Sequence, residues 1–239
     1  MTTLLTAGCS FTKDNYQKTW ADYLALGLNS SLTNVAARGA GIDFVTTRLI
    51  YQCTQQKYDL VVIMLPSLDR LDLYINDDHP LKDHYKDISS WQNGVCPEFV
   101  QVDGTLSNNE GYSLTGGAAR GYKKYWYKYY YNEVATLISY WSKVYLLENF
   151  FKNQNINYKF TMAYNKDSLV EQIYNMQGNN YQHRFLHENI DWSNFIFYNG
   201  THGFLEFSKH FNYPVINNHP VTEAHSEWTN TVILPALYK

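Results

Sequence analysis

The sequence predicts an α/β fold of three layers, an αβα sandwich around a mostly parallel sheet, and three observations predict it. Short apolar runs at residues 4–7, 32–36 and 60–65 are each followed by a loop and then by a stretch with helical spacing. That alternation builds a doubly wound sheet. The run at 60–65, Leu-Val-Val-Ile-Met-Leu, has no polar interruption, which suits a parallel strand covered on both faces. Glycines or polar residues follow each run, as Gly8-Cys9-Ser10, Arg38-Gly39-Ala40-Gly41 and Pro66-Ser67-Leu68-Asp69-Arg70, and mark strand-to-helix turns. At 239 residues the chain is read as one domain, 1–239, with insertions.

Taken in order, the strand at 4–7 leads into a helix from about Gln17, with Trp20, Tyr23, Leu24 and Leu28 on one face. The strand at 32–36 leads into a second helix carrying Phe44, Val45, Leu49 and Ile50. After the strand at 60–65 the periodicity fades. Residues 71–127 read as an aromatic-rich insertion over the strand ends, with Trp91, Tyr112, Tyr122, Tyr125, Trp126 and Tyr127. A helix over 132–152 follows from Val134, Leu137, Ile138, Trp141, Tyr145 and Phe151, and 157–163 supplies another strand. A second irregular insertion spans about 177–199, and a last helix after Pro220 carries Ala224, Trp228 and Val232.

Composition narrows the function. Charged residues are 17% of the chain, whereas 22 Tyr, 12 Phe and 6 Trp make it rich in rings, some of which are expected on a binding surface. The net charge is −3 and no Lys/Arg run occurs, so nucleic acid is not an expected partner. Cys9, Cys53 and Cys96 form no CxxC pair and are expected to be reduced. No stretch reads as a signal peptide or membrane span, so the expected location is a cytoplasm, or a virion if the chain is viral. No cofactor or metal is expected: Asp78, His79, Asp83 and His84 match no standard ligand spacing, and Gly116-Gly117 with Arg120 and Gly121 lacks the context of a phosphate loop. His183, His187, His202 and His210 read as surface or structural residues, and a homo-oligomer is compatible with the sequence.

Four places carry candidate chemistry. Ser10 lies just past the first strand, where ligands bind in open parallel sheets and helix N-terminal amides can stabilise an oxyanion. Taken alone, it reads equally well as a helix cap. Gly39, after Asn34, sits in a turn whose amides can approach a ligand closely. Ser67, Asp69 and Arg70 follow the strongest strand and lie at the ligand edge or in a solvated turn, and Arg70 either pairs with Asp69 or Asp72 or faces the pocket. In Asn217-Asn218-His219-Pro220, with His225 farther on, His219 precedes a proline that can open the last helix and is placed to take a proton from a serine.

The order of these elements resembles the sequence blocks of SGNH (GDSL-like) serine hydrolases, over the first third and the last tenth of the chain. Gly8-Cys9-Ser10 looks like the Gly-Asp-Ser block, Asn34 with Gly39 matches the second block in spacing, and His219-Pro220 resembles the end of the Asp-x-x-His-Pro block. The wider pattern, with Ser67-x-x-Arg70 around Asp69 and His219 six residues before His225, also resembles SGNH-type proteins of marine tailed phages infecting cyanobacteria. The resemblance implies a flavodoxin-like sandwich and an esterase in which Ser10 attacks, His219 relays the proton, and the amides of Ser10 and Gly39, with Ser67, hold the oxyanion. Asp69, Arg70, Asn217 and His225 would border the pocket, and the substrate would be a small-molecule or glycan ester, such as an O-acetylated glycan. Two departures stand out: no asparagine occupies the third block, and Ile216 stands where the acid belongs. Losing a triad acid lowers turnover by about four powers of ten in a serine protease, so a non-catalytic binding or virion module is the alternative.

Overall fold

The computed structural model describes residues 1–13, 16–76, 78, 99–107, 110–114, 122–164, 185–186, 188–216 and 219–238, with the backbone alone at 122–125. Strand β1 (Thr3–Ala7), helix α1 (Trp20–Gly27), strand β2 (Ser31–Asn34), helix α2 (Ile42–Gln55) and strand β3 (Leu60–Leu65) follow one another as expected. Helix α1 begins later than its apolar pattern suggests. The Asp22 carboxylate accepts the Thr19 N–H at 2.7 Å and so sets the helix start at Trp20.

After β3 the chain forms β4 (Asp72–Ile75), β5 (Phe99–Val100), β6 (Leu106–Ser107) and β7 (Gly111–Leu114), which make a four-stranded antiparallel sheet in the order β4-β7-β5-β6. The first insertion is therefore an organised sheet rather than a loss of regular structure. Its strands are two to four residues long, too short to show a period of two. It is held to α2 by an edge-to-face pair of Tyr112 on Phe44 (5.3 Å), by the Tyr112 hydroxyl on Thr47 (3.3 Å), and by Arg48, which donates to the Val102 carbonyl.

Helices α3 (Tyr122–Tyr129) and α4 (Glu133–Gln154) come next, α4 capped by the Asn132 side chain and ended by Asn155 at φ 53°. Strand β8 (Asn157–Met162) and the two-residue β9 (Phe195–Ile196) complete the main sheet, whose order is β2-β1-β3-β8-β9 with every adjacent pair parallel. Strand β9 falls in the second insertion, which was expected to be irregular. Helix α5 (Phe204–His210), the hairpin β10 (Val215–Ile216) and β11 (His219–Pro220), and helix α6 (Thr222–Trp228) follow, and α6 runs through a wide π turn (Thr229–Ile233) into α7 (Leu234–Leu237).

Alternation along β3 divides the core. Val61, Ile63 and Leu65 face α2 and α4, packing with Phe44, Leu49, Trp141 and Phe151. Val62 and Met64 face the opposite way and pack with Trp20, Phe204, Phe207 and Trp228 of α1, α5 and α6. Both faces are apolar because both are covered, which is what a central parallel strand requires.

Candidate active site

The C-terminal ends of β1, β2, β3 and β8 bring the candidate residues to one edge of the sheet. Strand β1 is followed by Gly8, whose φ of 151° and lack of a side chain are both needed: a Cβ would lie 2.3 Å from Thr12 Oγ1 and 2.7 Å from the Met64 carbonyl oxygen. The Cys9 carbonyl then accepts the N–H groups of Thr12 (2.9 Å) and Lys13 (3.2 Å), a tight turn with Ser10 and Phe11 at its apex. The Thr12 carbonyl accepts from Asn34 Nδ2 and Thr19 Oγ1, both at 2.8 Å. Asn34 thus ties the end of β2 to the serine turn, and its Oδ1 accepts the Ala36 N–H at 3.1 Å.

Gly39 adopts φ 80° in the second turn, with the Ala37 N–H donating back to Gly8 O at 3.3 Å. Among the described residues, the backbone N–H groups of Ser10 and Gly39 have no acceptor, and the Ser10 hydroxyl has no partner although the residue is only 8% exposed. Unused amides in turns at strand ends can serve a developing oxyanion.

The third turn is built differently from the expectation. Ser67 donates its hydroxyl to the Asp69 carboxylate, so that hydroxyl is already engaged rather than directed at a substrate oxygen. Tyr140, buried and held neutral, donates to the Pro66 carbonyl at 2.8 Å, and Tyr127 donates to the Asp69 carbonyl. Arg70 makes no ion pair within 4.0 Å among the described residues; its Nη1 donates to the Ala40 carbonyl at 3.0 Å. Asp72, 8% exposed, accepts from the N–H groups of Gly41 (2.8 Å) and Phe44 (2.9 Å). It caps the N-terminus of α2 from the neighbouring sheet. Burial, only partly offset by those two donors, pushes its carboxyl up to about 6.

Phe11 joins the serine turn to the far side of the site. Its ring meets Tyr164 at 6.0 Å, Phe204 at 6.0 Å and the His219 imidazole edge-to-face at 5.3 Å. His219 therefore stands against the residue next to Ser10, but no hydrogen bond joins it to the Ser10 hydroxyl. His219 also has a further interaction besides that ring contact.

The setting of His219 corrects the sequence expectation. Pro220 does not open the last helix; it pairs with Val215 in β11 while His219 pairs with Ile216, and the helix starts two residues later at Thr222. The Pro220 carbonyl, accepting from Gln17 Nε2 at 3.1 Å, fastens this hairpin to the segment after the serine turn. The position three residues before His219 is thus its cross-strand neighbour, an exposed isoleucine. The two ion pairs among the described residues, Lys143–Asp43 and Lys152–Asp191, involve no histidine.

His225, expected at the pocket, is a core residue. It is 1% exposed, its ring lies 4.5 Å from Phe204, and its Nδ1 accepts the Trp20 N–H at 3.2 Å. It supports the start of α1. Asn217 and Asn218 lie outside the described residues, as do His79, Asp83, His84, Cys96, His183, His187 and the Gly116-Gly117 segment through Gly121. Cys9 is a buried free thiol, and burial pushes the free Cys53 thiol up to about 11. Among the described residues no three His, Cys, Asp or Glu side chains are grouped to hold a metal, and no helix is long and apolar enough to cross a membrane.

Sequence reasoning missed Tyr164 and Asp72. Tyr164 lies two residues past the strand at 157–162, close to the place three residues past a strand that singled out Ser10, and could have been found by that rule. Nothing local to Asp72 announces that it caps a helix beginning thirty residues earlier. No protein-family model matches the chain, and no curated protein matches it in sequence.

Proposed function

We propose that the chain is a serine ester hydrolase of the SGNH type, with Ser10 as nucleophile and His219 as base. The observation that carries this reading is the pair of turns at the C-terminal sheet edge, where among the described residues the Ser10 hydroxyl has no hydrogen-bond partner and the backbone N–H groups of Ser10 and Gly39 have no acceptor. In the reaction Ser10 Oγ attacks the ester carbonyl as His219 takes its proton, and the alkoxide is held by those two amides. His219 then returns the proton to the departing alcohol, and water repeats the sequence to release the acid. A side-chain shift is needed to bring His219 from its contact with Phe11 onto the hydroxyl, and catalytic hydrogen bonds often tighten only with substrate bound.

A glycan ester is the substrate class we favour. Trp126, Tyr127 and Tyr131 cluster at 5.0–5.6 Å and touch the third turn through the Tyr127 hydroxyl, a position from which rings can stack on a sugar. A cytoplasmic or virion setting, with no nucleic acid or membrane partner, belongs to the same reading. The second reading, a binding or virion module without turnover, is favoured by one observation: Ser10 and His219 share no hydrogen bond, and the His219 ring rests on Phe11 instead.

Fluorophosphonate labelling separates the two. The wild type is expected to be labelled at Ser10 and Ser10→Ala not at all, with both folded by circular dichroism. A folded wild type that stays unlabelled while a control hydrolase reacts would leave the binding module as the better reading.

A further inference from the structure

Arg70 is a cation that makes no ion pair within 4.0 Å among the described residues. Its guanidinium carries five N–H donors. Among the described residues one goes to the Ala40 carbonyl at 3.0 Å, and Tyr164 is near enough to act on the charge. No carboxylate comes within 4.0 Å of it among those residues. The adjacent Asp69 carboxylate is turned to the Ser67 hydroxyl, and Asp72 is occupied by the amides of α2. Burial opposes the charge, yet the surroundings of Cys9, Tyr164 and Asp69 outweigh it and keep the guanidinium firmly protonated.

The position of this charge links it to the reaction. Ala40 adjoins Gly39, so the hydrogen bond from Arg70 Nη1 puts this charge at the turn that supplies one of the two oxyanion amides. A partly desolvated guanidinium without a carboxylate partner presents a planar fork suited to an oxyanion and gains from accepting one. A neutral acetyl ester would leave that fork unused.

We propose that Arg70 is the docking point for an anionic group, a carboxylate, sulfate or phosphate, carried by the ester substrate next to its scissile bond. The place beside a scissile bond rests on the hydrolase reading of Ser10; the anion site itself does not. In this site the substrate's oxyanion bridges the free N–H groups of Arg70 and accepts from the Tyr164 hydroxyl, which orients the ester carbonyl toward the Ser10 and Gly39 amides. The substrate class is accordingly an acidic ester, such as an acylated glycan bearing a uronate, sulfate or phosphate.

Binding and reaction are tested separately on the full chain. Sodium sulfate and sodium phosphate, each against sodium chloride of equal ionic strength, are titrated by calorimetry and thermal shift into wild type, Ser10→Ala, Arg70→Gln and Arg70→Lys. Saturable binding is expected in wild type and in Ser10→Ala, weakened about tenfold or more in Arg70→Gln, as loss of a charge-assisted hydrogen bond would give, and intermediate in Arg70→Lys. Fluorophosphonate labelling of the wild type is expected to be slowed by sulfate and not by chloride. If neither anion binds the wild type, or Arg70→Gln binds both as well as the wild type does, the proposal is overturned. Should Arg70→Gln fail to fold, Arg70→Lys decides: unchanged affinity there overturns the proposal and reduced affinity supports it. Absence of labelling in every protein would count against the hydrolase reading alone, since anion binding by Ser10→Ala is read without any turnover.

Discussion

Two histidines six positions apart divide the work at the residue scale. His225 Nδ1 accepts the Trp20 N–H in the core, so its imidazole is a structural acceptor whose loss strands a buried donor. That costs about 1–3 kcal/mol, with a cavity against Phe204 added to it. His219 is less buried, and its ring stands on Phe11 beside Ser10. His225→Ala is expected to lower the melting temperature while keeping activity per folded molecule, whereas His219→Ala should keep the fold and lower p-nitrophenyl acetate turnover by about a hundredfold or more. Circular dichroism melts and active-site-normalised rates measure both effects. A folded His225→Ala without activity, beside an unaffected His219→Ala, would reverse the assignment. Wild-type turnover itself should be slow, because Ser10 and His219 share no hydrogen bond and the imidazole must leave Phe11 before it can take the proton.

At the scale of elements, the site is a meeting of turns, and Asp72 is where two of them lock. Through its carboxylate β4 holds Gly41 and Phe44 at the head of α2, and so sets the Gly39 turn two residues upstream. Its pKa makes this lock sensitive to pH: burial raises the folded-state value from 3.8 to about 6, against the pull of the Phe44 and Gly41 amides and with Asp43 and Arg70 acting in opposite senses. A carboxyl raised on folding favours the native state fully below the unfolded value and loses that contribution as pH rises through the folded one. The loss is roughly 3 kcal/mol between about pH 4 and pH 7. Asp72→Asn cannot titrate, so its stability relative to wild type should rise by up to that amount over the same window in urea unfolding. A difference that stays flat with pH would mean that the amide donors, not burial, dominate the carboxyl. This lock also shows why only part of the site was legible in sequence. Ser10, Gly39 and Arg70 follow apolar runs long enough to betray their strands, so their place at the sheet edge could be read directly. The Asp72 cap, the diversion of Ser67 to Asp69, and the β11 pairing of His219 with Ile216 depend on contacts between turns or across a hairpin, which no local pattern encodes. The same limit applied to β9 and the antiparallel sheet, whose strands are too short to carry a period.

Across the whole molecule, the alternation that made the central strands readable also determines how the fold closes. The α2 and α4 face is assembled from elements close to the middle of the chain, whereas the opposite face joins the first helix to the last ones. Trp20 is the junction: its N–H is taken by His225, its carbonyl accepts the Thr229 hydroxyl at 3.2 Å, and the Lys18 carbonyl accepts from Thr222 Oγ1 at 3.0 Å. Trp228, Val232 and Ile233 fill the space beneath, all buried. At about 1.5–3 kcal/mol for each large apolar side chain, these three contribute roughly 5–9 kcal/mol, comparable with the 5–15 kcal/mol that separates a typical folded domain from its unfolded chain. The final segment is therefore required by the sheet as a whole and is not an appendage to it. Removing residues 222–239 should abolish a cooperative thermal transition and produce strong binding of an apolar dye, even though every strand of the parallel sheet is retained. The same truncation also uncovers Val62 and Met64 on the central strand, so partial retention of far-ultraviolet ellipticity with loss of near-ultraviolet signal is the expected signature. A truncated chain that still melts cooperatively near the wild-type temperature would show that α1 and α5 cover this face of the sheet unaided, and that the Trp20 junction contributes little to the closure of the fold.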